Sequence, residues 1–265
     1  MHNYNETDKR IHALSQVLAK AGRSFVPKQD DDSHTNLSFE PLDFRVYSRW
    51  IETPKGRVIL SLNLLNLSFE WQSESKSIIL SVPVMGKTMA SVEKELEEGI
   101  RFMGIENADF SAELHYEIPE YPFLNDPVAA INAEDIKEWT ERRRMANMVS
   151  DELLRYLQVT AEVRIWPHHF DTGFYTQVSS KMSIGFGWAM KDNIAGNAYF
   201  YMSGYSDGGV DYSKVKNLPV GRWEVGEHWN GAVLSLSDFE NLLFHDTQPI
   251  IIGYLKGASN WFLRA

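Results

Sequence analysis

Residues 58–82 read VILSLNLLNLSFEWQSESKSIILSV. Within them, 58–63, 68–72 and 78–82 are dense in aliphatic, β-branched and aromatic residues, and Asn, Ser, Glu and Lys part them. That spacing predicts three consecutive strands joined by turns. Two more strands are expected upstream, at 36–40 and 44–50, with Pro54, Lys55 and Gly56 forming a turn ahead of residue 58. A helix follows over 89–103, where Met89, Val92, Leu96, Ile100 and Met103 recur at steps of three and four and Gly104 supplies a stop. Strands in a run, with the helix after them, point to α+β architecture with antiparallel sheet packed by helices, and away from a doubly wound parallel sheet.

The same reading extends outward. An opening helix is expected over 7–23, with Ile11, Leu14, Leu18 and Ala21 on one face, and an exposed loop over 27–33. A strand is expected at 113–117, a proline-rich connector at 119–127, and a long helix at 134–157 striped by Ile136, Trp139, Ala146, Val149, Leu153 and Leu157. Further strands are expected at 162–166, 173–178, 182–188, 198–201 and 232–236. A closing helix is expected over 247–263, with Pro249 in its first turn. We read residues 1–265 as a single domain. Its halves, about 1–130 and 131–265, share a strands-then-helix outline that would fit a distant internal duplication.

Composition narrows the function classes. The chain has 265 residues, a net charge of −10 and no cysteine. Disulfides, thiol catalysis and cysteine-based metal centres are therefore excluded. The acidic balance argues against nucleic acid as a partner, because such binding rests on Lys and Arg neutralising phosphates. The one dense basic run, Arg142, Arg143 and Arg144, is flanked by carboxylates and reads as a solvated helix face with local ion pairs. Mean hydropathy is −0.32, and no apolar run approaches a membrane span, so no membrane partner is expected. With a polar start and no apolar stretch behind it no secretory signal is expected, which together with the missing cysteine suggests a soluble, cytoplasmic protein.

Two constellations carry polar chemistry. The segment 166–171 reads WPHHFD. In an extended chain His168 and Phe170 would share one face, and His169 and Asp171 the other. A His and a carboxylate two apart can act as an oriented general base or supply two metal ligands. His12, His34, His115 or His228 would have to provide a third ligand, and His115 with Glu117 repeats the pattern. No spacing matches a zinc signature, so no metal and no cofactor are expected. The competing reading is structural: Pro167 bends the chain, the histidines bond to backbone, and Asp171 caps a turn. The second constellation is His12, Gln16 and Lys20, a stripe at i, i+4 and i+8 on the first helix. It is either an ordinary solvent face or a donor-rich surface suited to an anionic or carbonyl-bearing ligand. Gly185, Gly187 and the glycines of 204–209 form no phosphate loop, and no G-x-S-x-G elbow occurs.

These two segments carry a resemblance. The chain resembles a family of uncharacterised bacterial proteins, known only as a domain of unknown function. The family's opening helix bears His, Gln and Lys at the spacing of His12, Gln16 and Lys20, and its long helix leads to a Trp–Phe–Asp motif matched by Trp166, Phe170 and Asp171. Pro27, Gly104 with Ile105, and the strand near 231–236 fit the same order. The paired histidines are not shared by all relatives, so a double-His ligand pair is not implied. The family contributes no established activity.

Together these observations lead to two expectations. The first is a small-molecule site, with or without catalysis, between the first helix and the WPHHFD segment: His168, His169 and Asp171 would be the catalytic candidates, and His12, Gln16, Lys20 and Trp166 the ligand-binding ones. The second is a non-enzymatic interaction or scaffold protein in which both motifs serve structure. Either way, Asp171 in its aromatic neighbourhood needs a donor, and Lys20, His12 or a motif histidine is expected to supply it. Oligomeric state and substrate are left open.

Overall fold

The structure, a computed structural model, describes residues 2–105, 109–242 and 244–265. The chain forms two compact units: one from Met1–Arg144 and Arg164–Phe170, the other from Met145–Val163 and Asp171–Ala265. Each contains an antiparallel sheet and helices, so the protein is α+β.

In the first unit, helix α1 (His2–Phe25) precedes strands β1 (Ser38–Glu40), β2 (Arg45–Tyr47), β3 (Ile51–Thr53), β4 (Gly56–Asn63), β5 (Ser68–Ser73) and β6 (Ile78–Pro83), then helix α2 (Met89–Phe102). The sheet runs β1-β2-β4-β5-β6, with β3 also paired to β4. Helix α3 (Ala133–Leu157) gives this unit its residues up to Arg144. Strand β7 (Arg164–Trp166) joins through Leu37 and Ile165, which exchange backbone bonds of 2.9 and 2.8 Å. On β4 and β5, Leu60 sits opposite Trp71 and Leu62 opposite Phe69, all fully buried. Helix α2 lays Val92, Leu96 and Ile100 into this core, and the Trp71 indole donates to the Leu96 carbonyl at 3.2 Å.

The alternate positions of the same two strands are polar yet buried: Ser61, Asn63, Ser68, Glu70 and Gln72. A carboxylate out of water must be paired and hydrogen-bonded. Glu70 accepts from Asn63 at 3.0 Å, Gln72 at 3.1 Å and the Arg45 guanidinium at 3.0 Å. Burial alone would raise its pKa; the donors from Asn63, Arg45 and Gln72 outweigh that and hold it below the ordinary carboxylate value.

In the second unit, strands β8 (Asp171–Gln177), β9 (Ser183–Ala189), β10 (Tyr199–Tyr205), β11 (Arg222–Val225) and β12 (Asn230–Ser235) lie in the order β8-β9-β10-β12-β11. The period of two divides each strand. Phe174, Phe186, Trp188, Phe200, Met202 and Leu234 are buried, and the aromatic ones meet ring to ring, as in Trp188 on Phe200 at 4.8 Å. Helix α4 (Phe244–Phe262) packs on this sheet, and its buried Tyr254 donates to the Ala232 carbonyl at 2.9 Å.

Four departures from expectation have local causes. Residues 113–117 form no strand; the Arg23 side chain takes the carbonyl of Glu113 and those of Asp109, Phe110 and Ala112 just ahead of it, at 2.9–3.2 Å. Strand β2 stops short of the expected 44–50, with Phe44 at φ 52°. Strands β3 and β11, three and four residues long, were too short to register as periodic runs. Helix α4 starts at Phe244, so Pro249 lies inside it and not in its first turn. Among the described residues no helix is long and apolar enough to cross a membrane.

The Arg45–Glu70 network generates a pH-dependent expectation. Because the Glu70 pKa is lowered on folding, its contribution is present above the unfolded carboxylate value and is lost as pH falls through the folded one. Glu70→Gln should therefore cost about 3 kcal/mol at neutral pH, by stranding Arg45, and the gap to the parent should close in acid. Urea unfolding of both proteins across that range checks it; a gap independent of pH would be the contrary outcome.

Candidate functional site

Asp8, His12, Gln16 and Lys20 follow one another at intervals of four along α1, so they share one side of it. The stripe is not a solvent face. Asp8 and His12 are each 1% exposed, and the helix is buried on its apolar stripe as well. A side chain at Gly22 would place its Cβ 2.3 Å from the His34 carbonyl oxygen, so only glycine lets the helix approach that close.

The WPHHFD segment is a turn, not an extended strand. The Phe170 amide donates to the Trp166 carbonyl at 2.7 Å, and Phe170 adopts φ 55°. A bulky residue at positive φ is strained and persists only where its surroundings hold it. Those surroundings are explicit within the first unit. Arg143, fully buried, donates to the Phe170 carbonyl at 2.7 Å and to Asp8 at 2.6 Å. Its guanidinium lies 4.5 Å from the Phe170 ring centroid. Trp139 also donates to Asp8, at 2.7 Å. One turn along α1, His12 Nε2 donates to the Pro167 carbonyl at 2.8 Å, and one turn further Gln16 donates to the same oxygen at 2.9 Å. The His12 ring stacks on Phe170 at 5.0 Å.

The tautomer of His12 follows from its partners. A carbonyl can only accept, so Nε2 carries the proton and Nδ1 accepts from the Tyr121 hydroxyl at 2.8 Å. Burial, reinforced by nearby Arg143, overrides the Pro167 bond and lowers the His12 pKa to about 4. The imidazole is neutral at physiological pH. Gln16 is equally occupied: its amide nitrogen donates to the His12 and Pro167 carbonyls, and its oxygen accepts from Tyr116 at 3.0 Å.

The turn displays the two motif histidines. Their rings lie 4.3 Å apart, on one tip and not on opposite faces. His169 is exposed; His168 is half-buried, 5.7 Å from the Tyr116 ring. Trp166 lies in β7 and closes the turn through its carbonyl. Lys20 pairs instead with Glu93 of α2 at 2.7 Å. His115 pairs with Asp32 at 3.1 Å. Among the described residues no group of three or more His, Asp or Glu side chains is placed to hold a metal ion.

Asp171 opens β8 in the second unit and is 8% exposed. Its donor is none of those expected: the Tyr201 hydroxyl of β10 donates to it. Tyr201 reaches it across Gly187, where an added Cβ would lie 2.9 Å from the ring. Burial and the adjacent carboxylate push the Tyr201 pKa well up, so the phenol keeps its proton and donates.

The residues that sequence reasoning missed are Asp8, Arg143, Tyr116, Tyr121 and Tyr201. Asp8 was visible as the next member of the i, i+4 stripe. Arg143 was not: it lies between Arg142 and Arg144, which do make local pairs, with Glu138 at 3.7 Å and Glu141 at 2.7 Å. The solvated reading of that run holds for its flanks and fails at its centre.

His12 yields a second pH-dependent expectation. Its folded pKa lies below the unfolded value near 6.5, so the unfolded chain takes up a proton that the folded one refuses. Stability should fall as pH drops from about 6.5 toward 4, by about 3 kcal/mol in all. His12→Gln removes that titration and should flatten the slope of unfolding free energy in this window, measured by denaturant titration at stepped pH. Parallel slopes would refute it.

No family model, curated protein or solved structure compared with this chain matches it.

Proposed function

We propose that the chain is a small-molecule-binding protein of the bacterial cytoplasm, related to the uncharacterised family its motifs resemble. Its ligand is touched by His168 and His169. The observation that carries this reading is the turn itself. Phe170 is held in a left-handed conformation by a buried Arg143, while His12 and Gln16 both grip the Pro167 carbonyl. Strain held this firmly is characteristic of places where a chain presents groups for a task. In this reading His12, Gln16, Tyr116, Tyr121 and Arg143 are positioning residues, and the adjacent imidazoles are the groups offered to a ligand. Two neighbouring imidazoles can bind an acceptor-rich or anionic group through their ring N–H donors.

One observation favours the second reading, a structural clamp in a non-enzymatic protein. Every donor and acceptor site named above on His12, and both groups of the Gln16 amide, are already engaged. A thermal-shift screen against a metabolite library separates the two. Under the first reading some compound raises the Tm of the parent, and the rise disappears in the His168→Ala, His169→Ala double variant. That variant should stay folded and lose about 1–2 kcal/mol, because His169 is exposed while the half-buried His168 gives up its contact with Tyr116. A parent with no response, or a double variant that keeps it, leaves the clamp as the function of the motif.

A further inference from the structure

The second unit contains a cleft that no sequence motif announced. Three segments build it: the end of α4, the turn between β8 and β9, and the long connection between β10 and β11. Its volume is about 760 Å³, within the range of small-molecule sites.

One wall is apolar and fixed. Trp261 stands on the last turn of α4, its ring 5.0 Å from that of the buried Phe262, and Leu218 and Pro219 line the same cleft. The Trp261 ring packs on Trp223 at 4.8 Å and Tyr212 at 5.5 Å, and its indole donates to the Lys214 carbonyl at 3.4 Å. A Cβ on Gly257 would come within 2.7 Å of the Pro219 ring, so helix and connection are already in close contact. An aromatic surface held in this way costs a ligand little ordering.

The rim is cationic. Lys181, Lys214, Lys216 and Arg264 line the cleft, with Asp211 the one acidic side chain among them. Lys214 pairs with Asp211 at 2.7 Å. Lys181, Lys216 and Arg264 make no ion pair among the described residues. In a chain of net charge −10, three unpaired cations brought to one hollow from three separate segments are a local inversion of the protein's charge. Arg264 alone could be accounted for by the negative end of α4; Lys181 and Lys216 sit on loops and have no such reason to be there. Cations around a low-dielectric wall focus the field on an anion.

We propose that this cleft binds a small anion with a planar apolar body, the body against Trp261 and the charge among Lys181, Lys216 and Arg264. The carboxylate, sulfonate and phosphate classes share this chemistry. The site shares no residue with the WPHHFD turn and does not depend on the function proposed for it.

The test uses two fluorescent probes of similar shape: anionic anilinonaphthalene sulfonate and neutral N-phenyl-naphthylamine. The full chain should bind the sulfonate more tightly, and added salt should weaken that binding while sparing the neutral probe. The Lys181→Ala, Lys216→Ala, Arg264→Ala triple variant should lose sulfonate affinity by about tenfold and keep the neutral probe. Trp261→Leu should weaken both. Should the triple variant not fold, Lys216→Gln alone, at an exposed position, should still cost the sulfonate about twofold and leave the neutral probe unchanged. Equal affinity of the parent for the two probes, or sulfonate binding unchanged in these variants, would overturn the proposal.

Discussion

The guanidinium of Arg143 is completely out of water, and much of the first unit is arranged around that fact. A buried arginine cannot shed its proton, so its surroundings must supply the compensation that water would have given. They do so with one carboxylate, Asp8, one carbonyl, that of Phe170, and two aromatic faces, Trp139 and Phe170. These groups lie on three elements: α1, the turn after β7, and α3 itself. Meeting the needs of one charge thus fixes three chain segments against each other.

The rest of the turn follows from helix geometry. Once Asp8 is fixed on Arg143, the four-residue repeat of α1 carries His12 and then Gln16 along the same side. Both arrive at the Pro167 carbonyl, which accepts from the two of them at 2.8 and 2.9 Å. Lys20, the next member, has moved beyond the turn and meets Glu93 of α2. The stripe is therefore one continuous contact whose partners change along its length: a guanidinium, a carbonyl, then a carboxylate. Only a neutral His12 fits its place in this order. A proton on Nδ1 would face the Tyr121 hydroxyl and add a second positive charge beside Arg143.

The sequence was legible where a residue's role depends on its near neighbours. Helix α2 could be read from Val92, Leu96 and Ile100 because a repeat of three and four states its own geometry. Strands β4 and β5 could be read because their aliphatic and aromatic residues have no other use. The stripe of His12, Gln16 and Lys20 could be read as a stripe, though not as a buried one. Legibility ended where a partner is remote. Alternation placed His168 and His169 on opposite faces because nothing local says that Phe170 turns left-handed; the group that makes it do so lies 27 residues upstream on α3. Asp171 was rightly seen to need a donor, but Tyr201 is thirty residues on and reaches it only because position 187 has no side chain.

The same contrast separates positioning groups from presented ones. A side chain whose hydrogen-bonding capacity is spent inside the fold has nothing left to offer a ligand, so changing it alters stability first and binding only through displacement. A side chain that the fold holds up and leaves unsatisfied has the opposite profile. By that criterion the residues most conspicuous in the sequence, His12 and Gln16, belong to the scaffold. Lys181, Lys216 and Arg264, which no periodicity or motif singled out, belong to the second kind: they are exposed, free of ion pairs among the described residues, and gathered beside a rigid indole. Isolated surface cations need no explanation in an acidic chain. Three converge on one hollow whose single acidic side chain, Asp211, is already paired with Lys214, and they place the charge where an anionic ligand would have to bring its own.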